Sequence, residues 1–87
     1  MLHRALWAGA ASLAAGGDRP SVEGVMVRTV ASEPLVTLDY AALVDARDLV
    51  PADDLAVGRP LRLLIAAAVG PVRLIDNLDP REPREPR

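Results

Sequence analysis

The chain has 87 residues, half of them hydrophobic, with ten Arg, no Lys, twelve Asp plus Glu and no Cys. A length of this kind supports one small domain, and with no Phe and single Trp and Tyr residues its core must be built from Ala, Val and Leu. The mildly acidic balance leaves no basic footprint for nucleic acid, and the missing aromatics leave no stacking platform for bases. Without Lys there is neither a P-loop lysine nor a Schiff-base amine; without Cys there is no disulfide, thiol nucleophile or thiolate metal site. The Arg-for-Lys and Ala/Val bias fits a GC-rich bacterial genome.

Leu2 to Ala15 is mostly Ala and Leu, with Leu2, Leu6 and Leu13 on one side, and predicts a helix stopped by Gly16-Gly17. A rival reading makes Met1–Arg4 and Ala5–Leu13 the n- and h-regions of a signal peptide, cut after Ser12-Leu13-Ala14. Its apolar part is short, Ala-heavy and interrupted by Gly9, and is too short to span a bilayer. Asp18 and Pro20 read as N-cap and first turn of a second helix. Val22, Val25, Met26, Thr29 and Val30 share one face of it, and Pro34 ends it.

Leu35–Val44 alternates as a half-buried strand, with Val36, Leu38, Tyr40 and Ala42 set against Leu35, Thr37, Asp39 and Ala41. Asp45–Pro60 reads as a polar connection with at most one helical turn. Leu61–Val69 is apolar on both faces except at Arg62, as expected of a central strand. Gly70-Pro71 suits a tight primed turn, and Val72–Leu78 follows as a strand whose wetter face carries Arg73, Ile75 and Asn77. The expected fold is α+β: two N-terminal helices packed on a small, mainly antiparallel three-stranded sheet that ends in a β-hairpin. The domain is set at 1–78, and 79–87, a Pro/Arg/Glu tail, is expected to be disordered.

Chemistry is sparse. His3 is the sole histidine and reads as a packing or surface residue; no triad or zinc set can be assembled around it. Adjacent Asp53 and Asp54 point apart on any regular element and suit a solvated loop. Asp39 is expected to face outward and pair with an Arg. Asp76-Asn77 are expected to bond local backbone and terminate the strand. No phosphate-cradling Gly-rich loop occurs, and no catalytic, cofactor-binding or metal-ligating residue is assigned.

Leu35–Pro51 (LVTLDYAALVDARDLVP) and Leu61–Leu78 (LRLLIAAAVGPVRLIDNL) resemble the C-terminal part of pantothenate synthetases, the pantoate–β-alanine ligases. The matching pieces are Leu38-Asp39-Tyr40, Val44-Asp45, Leu49, Pro51, Leu63–Ala67, Gly70 and Arg73–Asn77; Leu2–Leu6 (LHRAL) resembles the helix that opens that part of the family. Ala68 stands where the family commonly has a basic residue, and Gly24 and the Val25-Met26-Val27 run are also departures. The resemblance implies an ATP- and Mg²⁺-dependent, AMP-forming ligase of the cytoplasm that joins pantoate to β-alanine through a pantoyl-adenylate. In that family, catalysis belongs to an N-terminal nucleotide-binding domain with a HIGH-type motif and a KMSKS-like junction, both absent here. This chain would be the lid, inactive alone, with that domain as its partner, no nucleic acid or membrane partner, and a tendency to self-associate. No family binding residue maps onto a position of this sequence. The alternative is a stand-alone interaction or dimerisation module that adds strands at the Val72–Leu78 edge.

Overall fold

The computed structural model describes residues 2–56 and 58–81. Helix α1 spans Leu2–Ala14 and α2 spans Arg19–Ala31; strands β1 (Val36–Asp45), β2 (Leu61–Val69) and β3 (Val72–Leu78) follow. The sheet has the order β1-β2-β3 and both pairings are antiparallel, so the expected two-helix, three-stranded α+β fold is the one formed. Residues 82–87, where most of the expected tail falls, lie outside the described residues. Of the tail's first residues, Pro80 is buried, and the Arg81 guanidinium donates to the carbonyls of Leu55, Ala56 and Arg59.

Each element begins or ends where local chemistry dictates. Gly16 adopts φ +93° just past α1, the left-handed stop that a residue without Cβ accepts freely. Asp18 caps α2, its carboxylate accepting from the Ser21 amide at 3.0 Å, with Pro20 in the first turn. At the hairpin, Gly70 takes φ +58°, and Pro71 completes a two-residue turn between paired Val69 and Val72.

The core lies between the helices and one face of the sheet. Leu6 from α1, Val22, Met26 and Val30 from α2, Leu43 from β1, and Leu63 and Ile65 from β2 are fully buried there. Small residues replace bulk where the helices meet. A Cβ on Gly9 would fall 2.9 Å from Met26 Cγ and 3.2 Å from Leu63 Cδ1, so the absence of a side chain sets how closely α1 approaches its neighbours. Leu2–Ala14 therefore serves in this domain as a core helix, burying Leu2, Ala5, Leu6, Gly9 and Ala10.

One expectation needs correction. The alternation along β1 is not continuous, because the register shifts between Leu38 and Tyr40, leaving Asp39 in a bulge. Val36 and Leu38 pack on the helix side before the bulge, but Ala41 and Leu43 do so after it. Tyr40, Ala42 and Val44 are thereby carried to the opposite face.

Candidate functional site

No helix among the described residues covers that opposite face. Its central row is Tyr40, Ala66 and Ile75, directly paired across the three strands. Tyr40 is 40% and Ile75 66% exposed, while the small Ala66 between them is fully buried. The row therefore forms a shallow apolar trough, extended on one side by Ala42 and Leu64 and ending at Asn77.

Polar groups rim the trough. Asp39, thrown out of register by the bulge, forms an ion pair with Arg73 from the far strand, reaching over Ala68. A hollow of about 270 Å³ lies beside this pair, bounded by Thr37, Pro71 and Val72. At the other end, Arg62 donates to Asn77 Oδ1 at 3.4 Å. Asp76 Oδ1 accepts from the Asn77 backbone amide at 2.8 Å, the local backbone role its position suggested, but the pair does not end the strand as expected, since pairing with β2 runs on through Asn77 to Leu78.

The remaining expected polar residues are not brought together. The His3 ring meets Trp7 edge-on, centroids 5.7 Å apart, at the start of α1. Asp53 pairs with Arg19 at 2.8 Å, whereas Asp54 accepts from the Ala56 amide and from Arg59. The Ala56 amide, and then Arg59, hold the Asp54 carboxyl below the usual carboxylate range. A larger groove of about 810 Å³ runs along α1 past Trp7, Leu13, Gly17, Leu55 and Arg81. The Trp7 indole nitrogen is buried with no hydrogen-bond partner. The groove's charged groups are committed elsewhere: Asp18 to the α2 cap, Asp53 to Arg19, and Arg81 to backbone carbonyls. It holds no free acid–base pair.

Residues not singled out from sequence stitch the layers together. Glu23 Oε2 accepts the outward amide of Leu43 on β1 at 2.9 Å, and its Oε1 faces Arg19 at 3.3 Å. Arg19 continues to Asp53, so one carboxylate joins α2, the edge of β1 and the 51–55 segment. The i,i+4 spacing of Arg19 and Glu23 was visible in the sequence, but its long-range partners were not.

Among the described residues no group of three or more His, Cys, Asp or Glu side chains converges that could hold a metal ion. The N-terminus of α2, the obvious anion site, is filled by its own Asp18 cap. No helix among the described residues is long and apolar enough to cross a membrane.

The described residues thus form one two-layer unit, with one sheet face covered by helices and the other apolar with a polar rim. Comparison with known proteins identifies the unit: the family described as pantoate-beta-alanine ligase matches residues 1–79, and the chain belongs to it, corresponding to its C-terminal domain. It is 49% identical over 79 residues to the pantothenate synthetase of Rubrobacter xylanophilus, covering 85% of this chain and 27% of that protein. The pantothenate synthetase of Rhizorhabdus wittichii is 43% identical over 77 residues, covering 88% and 27%. A crystal structure of pantothenate synthetase from Thermus thermophilus superposes with a TM-score of 0.81 at 30% identity, covering 91% of this chain and 28% of that one. The chain thus spans about a quarter of the length of the relatives it matches.

Proposed function

We propose that this chain is the closing domain of a pantoate–β-alanine ligase, acting with a nucleotide-binding domain that supplies the catalytic groups. The observation that carries this reading is the asymmetry of the sheet: one face is sealed by α1 and α2, the other offers an apolar trough with a polar rim. A sheet face of that composition suits reversible docking onto another domain.

The chemistry explains why closure is useful. The pantoate carboxylate attacks the α-phosphate of ATP, giving pantoyl-adenylate and pyrophosphate. The β-alanine amine then attacks the acyl carbon, expelling AMP and losing a proton as pantothenate forms. The mixed anhydride is open to hydrolysis, so a cover that excludes water until the amine attacks protects the intermediate. The chain's contribution is the Tyr40–Ala66–Ile75 row, which would displace water, and the Asp39–Arg73 and Arg62–Asn77 pairs, which would fix its docking angle.

The test has two arms. Supplied with ATP, Mg²⁺, pantoate and β-alanine, the purified chain is expected to form no AMP; turnover by the chain alone would overturn the closing-domain assignment. Added to a relative's synthetase truncated before the matching segment, it is expected to restore AMP formation. Leu64→Glu, in the trough, is expected to abolish that rescue while the circular dichroism spectrum is unchanged.

A further inference from the structure

The edges of the sheet differ as much as its faces. Near Leu43–Asp45 the outer edge of β1 is closed: Glu23 takes the Leu43 amide, Ala52 donates to the Leu43 carbonyl, and Asp45 donates to Val50. β3 is the other edge strand, and no described segment pairs with its outer side. Its backbone polarity follows from the turn. The two-residue Gly70-Pro71 loop makes Val69 and Val72 a hydrogen-bonded pair, so Leu74, Asp76 and Leu78 also direct their amides and carbonyls at β2. Arg73, Ile75 and Asn77 direct theirs outward. The Asn77 amide is accordingly the one taken up by the Asp76 carboxylate.

We propose that two copies of this chain join through these outer edges, antiparallel, with Ile75 on the two-fold axis. The side chains of β3 favour a second copy as the occupant. A two-fold through Ile75 sets Ile75, 66% exposed, against its equivalent, and half-exposed Val72 against the second copy's Leu78. Arg73 then lies opposite Asn77, and Leu74 opposite Asp76, so no like charges face each other. With one Arg and one Asp the strand is neutral and does not repel itself. An axis through a residue keeps both uncovered faces on the same side, so the two troughs become continuous. The backbone contributes reciprocal hydrogen bonds at Ile75 and one from each Arg73 amide to the facing Asn77 carbonyl. Asp76 limits the pairing, since its hold on the Asn77 amide keeps that donor out of the ladder.

An edge contact of this kind belongs with the smaller interfaces, below about 1,200 Å² in total, so the dimer is weak and concentration-dependent. Sedimentation analysis of the full chain from micromolar to millimolar concentration is expected to show a monomer–dimer equilibrium. Over the same range, hydrogen exchange at the Arg73 and Ile75 amides slows. Ile75→Lys, which places two ammonium groups together at the axis, should weaken association by about tenfold or more. Asp76→Ala, which frees the Asn77 amide, should tighten it several-fold. A wild-type chain that stays monomeric, or an Ile75→Lys dimer as strong as wild type, overturns edge pairing. An Asp76→Ala dimer of unchanged strength overturns the register. Edge pairing does not depend on the closing-domain reading, and the AMP assay does not report on it.

Discussion

Leu63 and Leu64 are neighbours on the central strand, and they show how differently the two faces of the sheet are finished. Leu63 is fully buried among the helices, beside Met26 and the space left by Gly9. Leu64 looks the other way into the trough, partly covered and paired with Ala42 and Asn77. Two helices of 13 residues are enough to seal one side of a three-stranded sheet, and among the described residues no helix lies on the other. Had the open face been solvated for good, period-2 strands would carry polar residues along it. Instead its middle row is apolar and only its ends are charged, the composition on which the closing-domain proposal rests.

Truncating the two leucines separates these roles. Leu63→Ala removes a fully buried side chain and leaves a cavity, at a cost of about 2–5 kcal/mol. For a domain this small, each kcal/mol lowers Tm by roughly 4–8 °C, so thermal denaturation should show a large shift or outright unfolding. Leu64→Ala should cost less, about 1–2 kcal/mol in the isolated chain, because its side chain is only partly covered and lies outside the helix-side core. Equal losses at both positions would mean that the open face is as integral to the fold as the core, and would remove the contrast. A Leu64→Ala penalty that grows when a catalytic domain is added would sharpen it.

Glu23 tests the seam between the helix layer and the edge of β1. Glu23→Ala leaves the Leu43 amide without its acceptor and Arg19 without one of two carboxylates, at a cost of about 1–3 kcal/mol. Glu23→Gln keeps an acceptor and should recover most of that loss in urea denaturation. If Gln proves no better than Ala, the ion pair with Arg19 and not the amide contact is the stabilising element.

How much of this was legible in advance depended on range. The Asp18 cap, Pro20, Gly16 and the Gly70-Pro71 turn all act through neighbours within a few residues, and local sequence alone placed them. Asp76 was legible for the same reason, since its partner is the next amide along. The bulge at Asp39 was not, because its signature is a slip against β2, some 30 residues on in the chain, that LDYAAL does not display. Glu23 and Arg81 were missed on the same ground: their partners, Leu43 and the carbonyls of Leu55, Ala56 and Arg59, are distant in sequence. The open face was hidden too, since alternation says that a strand has two sides without saying which the helices will cover. The family resemblance came from the hairpin, and the residues that carry it do structural work: Gly70 turns, Asp76 caps an edge amide, and Arg73 meets Asp39.

The smallest expected effect lies at the α2 cap, where acid should erode the helix layer and leave the hairpin alone. Hydrogen bonding from Ser21 lowers the Asp18 pKa below the ordinary aspartate value of about 3.9. A depressed folded-state pKa means that the unfolded chain takes up the proton first as pH falls. The stabilisation is therefore complete above the ordinary aspartate pKa and is lost progressively as pH drops through the lower folded value. Asp45, held down chiefly by its hydrogen bond with Arg47, adds a slope of the same sign in the 45–50 turn. Asp18→Asn keeps a cap acceptor but has nothing to titrate. Its stability near neutrality should stay close to wild type, while the fall in Tm between about pH 5 and 2 should flatten by the share belonging to Asp18. An unchanged acid slope in this variant would assign that loss to the two lowered carboxyls of the connection between β1 and β2, Asp45 and Asp54.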